Sequence, residues 1–150
     1  MSARSQSRSA ARLAAVQALY QREMEEVALP RLLDEFHQHR LGRAQDDDED
    51  ELVDAEVAFF DDIVSGVIAR QDEIDGLVES RLAEGWKLER LDKTMLQILR
   101  AGTYELLARK DVPIGSAISE YVDVAHAFFD AREAKFVNGV LDGVAKAVRS

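Results

Sequence analysis

The chain has no cysteine, which excludes disulfides, thiolate metal sites and cysteine nucleophiles together. That composition fits a reducing compartment. Only two prolines occur, Pro30 and Pro113, and both stand where helices would begin or stop. No apolar run approaches the roughly 20 residues of a membrane span. The stretch from Met1 to Ala11 is polar and arginine-bearing, without the apolar segment of a secretory signal. These absences predict a soluble, cytoplasmic protein with no membrane role. Also missing are a Gly-rich phosphate loop, a Walker pattern and a Gly-x-Ser-x-Gly elbow. Carboxylates are plentiful but scattered, and no pair stands out as an acid–base couple. Neither catalysis nor a cofactor is expected.

Metal chemistry has one weak foothold. Asp34 with His37, and Asp123 with His126, are each spaced i, i+3, so each pair shares a helix face. Carboxylate-bridged two-metal sites in helical bundles instead prefer Glu-x-x-His twice, with a further Glu from each of two other helices. The shorter aspartates suit that geometry poorly. Ordinary surface pairs are the expectation, with His39 on the surface as well, and no metal site is assigned.

What is present favours one helical domain over residues 1–150. A hydrophobic fraction of 47% supports a real core, and a chain of this length buries about two thirds of its unfolded surface without a staple. The net charge of −10 argues against a broad nucleic-acid surface. Its distribution is uneven. Through Arg22 the only charged side chains are Arg4, Arg8, Arg12 and Arg22, whereas acids crowd together from Asp46 to Glu51. A cationic head on an anionic body points to a local anion-binding patch; a merely solvated tail is the alternative.

Helical periodicity runs throughout, with no sustained alternation of period two. Ser9 to Met24 carries Leu13, Val16, Tyr20 and Met24 as an apolar stripe, with Ser7 or Ser9 as cap and residues 1–8 flexible. A second helix starts near Pro30 and ends near Gly42. The acidic stretch 43–51 reads as a loop, because adjacent acids repel and bury nothing. Asp54–Arg70 and Asp72–Leu82 follow as helices, and Gly85 breaks the chain. Trp86 and Leu88 are expected as plugs under the next turn. Asp92 caps a helix reaching about Lys110, and Pro113 stops it. Ser116–Phe128 and Glu133–Val148 complete the set. Asn138-Gly139 is ordinarily a hairpin turn, but the helical pattern of Phe136, Val137, Val140, Leu141 and Val144 overrides it. Close approach of another helix or of a ligand at Gly139, and likewise at Gly102, would offset the cost of glycine in a helix.

Two groups suggest nucleic acid. Arg8 and Arg12 are four apart on one helix face, near an N-terminus that favours phosphate. Phe128, Phe129, Arg132, Lys135 and Phe136 form an aromatic and basic cluster at a helix junction, the kind that stacks unpaired bases. Core packing of Phe128 or Phe136 is the alternative.

Four blocks then resemble the NusB family of transcription antitermination factors. They are Arg12 with Ala14–Tyr20; Ile98-Leu99-Arg100 with Tyr104-Glu105-Leu106; Asp111-Val112-Pro113 with Ala117–Glu120; and Lys135–Asp142. They occur in family order from about Ala11 to Ala145. The resemblance implies an all-α fold of about seven helices packed as two helical bundles. It implies binding of boxA, a short single-stranded RNA element of ribosomal RNA leader transcripts, with the ribosomal protein that doubles as NusE. The pair would join the RNA polymerase antitermination complex. Arg4, Arg8 and Arg12 correspond to the arginine-rich start, and Phe128, Lys135 and Phe136 to the RNA-facing end. Arg132 joins them, although an acid can stand there. Tyr20 and Glu89 lie where the family meets NusE, as does Met95, at a position that is often acidic. Arg100 and Glu105 are expected to be internal. The start is poorer in cations than is usual, with Ser9 and Ala10 beside Arg8. Homodimers are known for the family, so a helical interaction module without an RNA role is one rival. A NusB-like domain of a ribosomal RNA methyltransferase is another, and a chain of 150 residues is expected to leave no room for its methyl-donor domain.

Overall fold

The computed structural model describes the backbone of residues 3–39 and 47–149, and the side chains of 6–38 and 56–149. Among the described residues all regular structure is helical. The helices are α1 (Ala3–Glu25), α2 (Leu29–His39), α3 (Asp47–Ala69), α4 (Gln71–Glu79), α5 (Lys93–Ala108), α6 (Ile114–Phe128) and α7 (Ala131–Val148), with a 3₁₀ turn at Leu88–Arg90. The all-α expectation therefore holds. The chain divides into two compact units, residues 1–65 and 66–150, and the division falls inside α3.

In the first unit α1 begins at Ala3, not at Ser9. Residues 1–8 were expected to be flexible and Ser7 or Ser9 to cap, but Ala3–Ser9 contains neither glycine nor proline, so the helix extends outward through them. Met1 and Ser2 lie outside the described residues. The buried face of α1 is Ala11, Ala15, Val16, Ala18 and Leu19. Of the expected stripe only Val16 is buried; Leu13 is half-buried, and Tyr20 and Met24 are exposed. The small alanines permit close packing, so α1 turns that side inward. α1 packs on α2, and Phe36 of α2 stacks on Phe60 of α3 with ring centroids 5.4 Å apart. The expected loop 43–51 is corrected in part. Residues 47–51 form the first turns of α3. Residues 43–46, and the expected end of α2 at Gly42, lie outside the described residues.

The second unit is built around α5, which packs on α4, α6 and α7. Every residue from Met95 to Leu106 is buried. A helix covered on all sides needs partners for its polar groups, and the two charged ones find them, while Gln97 Nε2 and Thr103 Oγ1 have none among the described residues. Arg100 donates two hydrogen bonds to Asp75, at 2.8 and 2.9 Å, and the Tyr121 hydroxyl donates to Glu105 Oε1 at 2.6 Å. Arg100 and Glu105 are thus internal, as expected. Asp92 caps α5 through Oδ1, accepting from the backbone N–H of Thr94 at 2.8 Å and of Met95 at 3.2 Å. The helix stops at Ala108, two residues short of Lys110. Its carbonyl end is closed instead by Arg149, whose guanidinium donates to the carbonyls of Glu105, Leu106, Arg109 and Val112 at 2.6–3.1 Å.

Candidate nucleic-acid interface

In the first unit, α1 and α3 place two guanidiniums on one aromatic ring. Arg8 lies 4.6 Å and Arg12 5.0 Å from the centroid of Phe59. The i, i+4 spacing does put both on one face, but that face points towards α3. Arg8 is half-buried, and Arg12 is only 3% exposed. Neither is without further partners. The expectation that Arg12 offers a surface cation is therefore corrected. It stands directly beside Ala11 and one turn before Ala15 and Val16, so it shares their buried side. The side chain of Arg4 lies outside the described residues. Tyr20, a candidate partner residue, is exposed on α1.

In the second unit the junction of α6 and α7 gathers the other candidates. Asp130 Oδ1 accepts the backbone N–H of Arg132 at 3.1 Å and starts α7. Arg132 and Phe136, four apart, then lie on one face of α7, and Lys135 is exposed beside them. Phe128 is 43% exposed and Phe136 38%, so neither is taken up by the core. The Phe128 and Phe129 rings sit 6.5 Å apart, tilted by 55°.

The same face of α7 forms one wall of a groove of about 530 Å³. Phe136, Arg132 and Glu133 stand on that wall, and Trp86, Arg90 and Met95 are among the residues lining the rest. Trp86 was expected as a buried plug and is instead 53% exposed. Gly85, at φ +88°, bends the chain immediately before it in a way L-residues rarely adopt, and Leu91 and Met95 occupy the buried places instead. Met95, an expected partner residue, is 4% exposed. Glu89 is exposed in the 3₁₀ turn. Sequence reasoning missed Phe59, Arg90 and Glu133. The i, i+4 relation of Arg132 to Phe136, with Glu133 between them, was the available signal for one of these.

Asp34 and His37 have other partners. His37 Nε2 lies 2.6 Å from Asp61 Oδ1 on α3, while Asp34 accepts from Gln38. Among the described residues no group of three or more His, Asp or Glu side chains could hold an ion. Nor is any described helix long and apolar enough to cross a membrane.

An all-helical protein with a basic and aromatic patch on an acidic body is the class these features define. The family model described as the NusB family matches residues 9–146. The transcription antitermination protein NusB of Novosphingobium aromaticivorans is 70% identical over 142 residues, covering 95% of each chain. That of Sphingopyxis alaskensis is 64% identical over 149 residues, covering 99% of each. Among solved structures, T. maritima NusB aligns with a TM-score of 0.76 and 34% identity, over 93% of this chain and 90% of the other. A structure of antitermination factors NusB and NusE in complex with double-stranded RNA aligns with a TM-score of 0.78 and 26% identity, over 95% and 98%. The chain belongs to the NusB family.

Proposed function

We propose that this chain is a transcription antitermination factor that binds boxA single-stranded RNA of ribosomal RNA transcripts together with a NusE-type ribosomal protein. The pair then acts on elongating RNA polymerase. Family membership carries the reading: relatives named transcription antitermination protein NusB match nearly the whole chain, and a solved NusB–NusE complex with double-stranded RNA shares its fold. Exposed rings at Phe128 and Phe136 beside Arg132 and Lys135 support contacts to unpaired bases and backbone. On this reading Arg4 and Arg8 add phosphate contacts from the first unit, and Arg12 supports Arg8 through Phe59. Tyr20 and Glu89 are the partner-facing residues.

Few cations on an acidic chain give few phosphate contacts, so the chain alone binds weakly and the partner raises affinity by adding its own surface. Fluorescence anisotropy of a labelled boxA oligonucleotide, with and without NusE, tests this. A scrambled single strand and a boxA duplex serve as competitors. The expected result is at least about tenfold tighter binding with NusE and a preference for single-stranded boxA. Equal affinity for all three RNAs, or no gain from NusE, contradicts the reading.

A further inference from the structure

We infer that the groove beside α7 is a slot for one unpaired RNA base bearing an exocyclic amino group, with Trp86 and Phe136 offering ring faces and Glu133 accepting from the base. The inference rests on the RNA-binding reading and deepens it.

Three features of the lining ask for the same occupant. The first is flat apolar surface. Trp86 and Phe136 are both substantially exposed and line one groove, and among the described residues neither ring contacts another ring. Base-on-aromatic stacking is the ordinary use of such faces. The volume of about 530 Å³ falls within the roughly 300–1,000 Å³ of small-ligand sites.

The second feature is an unanswered acceptor. Glu133 Oε2 is buried and has no hydrogen-bond partner among the described residues, while the same carboxyl group also interacts with the Asp130 side chain and holds it below its ordinary carboxylate range. A buried carboxylate oxygen left bare is costly, and a donor from an occupant would satisfy it. Carboxylates accept from the exocyclic amino group of cytosine in the same way. The other acid in the lining, Asp92, is already taken up in capping α5. The indole N–H of Trp86 likewise makes no hydrogen bond among the described residues and remains available as a donor.

The third feature is cationic. Arg90 and Arg132 both line the groove and are exposed, and neither side chain forms an ion pair among the described residues. Each can hold a backbone phosphate flanking the inserted base. A nucleotide supplies the flat apolar body, the amino donor and the anion in one unit.

The chain has a single tryptophan, so its intrinsic emission reports on this groove alone. The probes are a boxA oligonucleotide, and oligo(rC) and oligo(rU) of equal length, which differ in the amino group that Glu133 would accept. Binding is followed in parallel by anisotropy of labelled RNA on the full chain with NusE. The expected results are quenching of Trp86 emission by boxA and by oligo(rC) more than by oligo(rU). Trp86→Ala weakens boxA binding by about 5- to 150-fold, while Trp86→Phe retains most of it. Glu133→Gln narrows the difference between oligo(rC) and oligo(rU). Trp86 is exposed, so a folded Trp86→Ala variant is expected, and circular dichroism verifies it. RNA that binds by anisotropy without altering Trp86 emission, and equally well to Trp86→Ala, overturns the slot and leaves the RNA role standing. Absence of any RNA binding overturns both. Emission that changes with NusE alone, or with protein concentration alone, and not with RNA, makes the groove a protein-docking surface and also overturns the proposal.

Discussion

Arg8 and Arg12 face the same Phe59 ring, yet they stand in different surroundings. Arg8 keeps part of its surface in water, whereas Arg12 has lost nearly all of it. A guanidinium over an aromatic face is worth about 0.5–1 kcal/mol when exposed and about 2 when desolvated. Removing a buried charged donor also strands its other partners. Arg12→Ala is therefore expected to lower unfolding free energy by about 1–3 kcal/mol, and Arg8→Ala by less than about 1. Urea denaturation measures both. In RNA titrations the ranking reverses, with Arg8→Ala the weaker binder once each variant is confirmed folded. Unchanged stability in Arg12→Ala together with lost RNA affinity would restore Arg12 as a direct contact. The sequence makes the shared face legible, since spacing alone dictates it. It does not show which way the face turns, because Ala11 and Ala15 give a weaker apolar signal than the exposed Tyr20 and Met24. Trp86 misleads for a related reason: size and hydrophobicity argue for burial, and only the backbone geometry at Gly85 sends it outward.

At the scale of helices, pattern outranks local chemistry, and Asn138-Gly139 shows it. The dipeptide favours a hairpin, yet α7 continues through it to Val148, because Val137, Val140, Leu141 and Val144 bury one face. The accompanying expectation of another helix close to Gly139 fails, since a Cβ there would meet nothing within 4 Å. At Gly102 in α5 it holds: a Cβ would lie 2.8 Å from Leu141 Cδ1 and 3.1 Å from Cδ2. The two glycines should respond in opposite directions. Gly139→Ala is expected to stabilise the chain by about 0.5–1 kcal/mol, the ordinary gain of alanine in a helix. Gly102→Ala is expected to destabilise it by about 1–3 kcal/mol through overpacking. Paired thermal melts test this, and a fall in melting temperature for Gly139→Ala would mean the position is packed or bound. Helix boundaries were less legible than helix identities. The closure of α5 by Arg149 comes from about 40 residues away in sequence, which no local capping rule can foresee.

For the whole molecule the controlling quantity is charge. A net charge of −10 repels a polyanion, so RNA must be held by a few cations placed close to stacking surfaces. Among the described residues these include Arg8 on α1, Arg132 and Lys135 on α7, and Arg90 at the groove. Each phosphate neutralised on a single strand contributes roughly 0.7 to the slope of log affinity against log salt. With two to four phosphates engaged, the chain alone should show a slope of roughly −1.4 to −2.8. Adding NusE should steepen it, because the partner contributes further cations, while the stacking contribution stays nearly independent of salt. Substituting Trp86 should then lower affinity by the same factor at every salt concentration. Substituting Lys135 should flatten the slope by roughly 0.7. Titrations of boxA RNA between low and physiological salt separate the two kinds of contact. A slope for the chain alone of roughly −5 or steeper would mean a broad cationic surface after all, and the picture of a few cations assisted by aromatic rings would not stand.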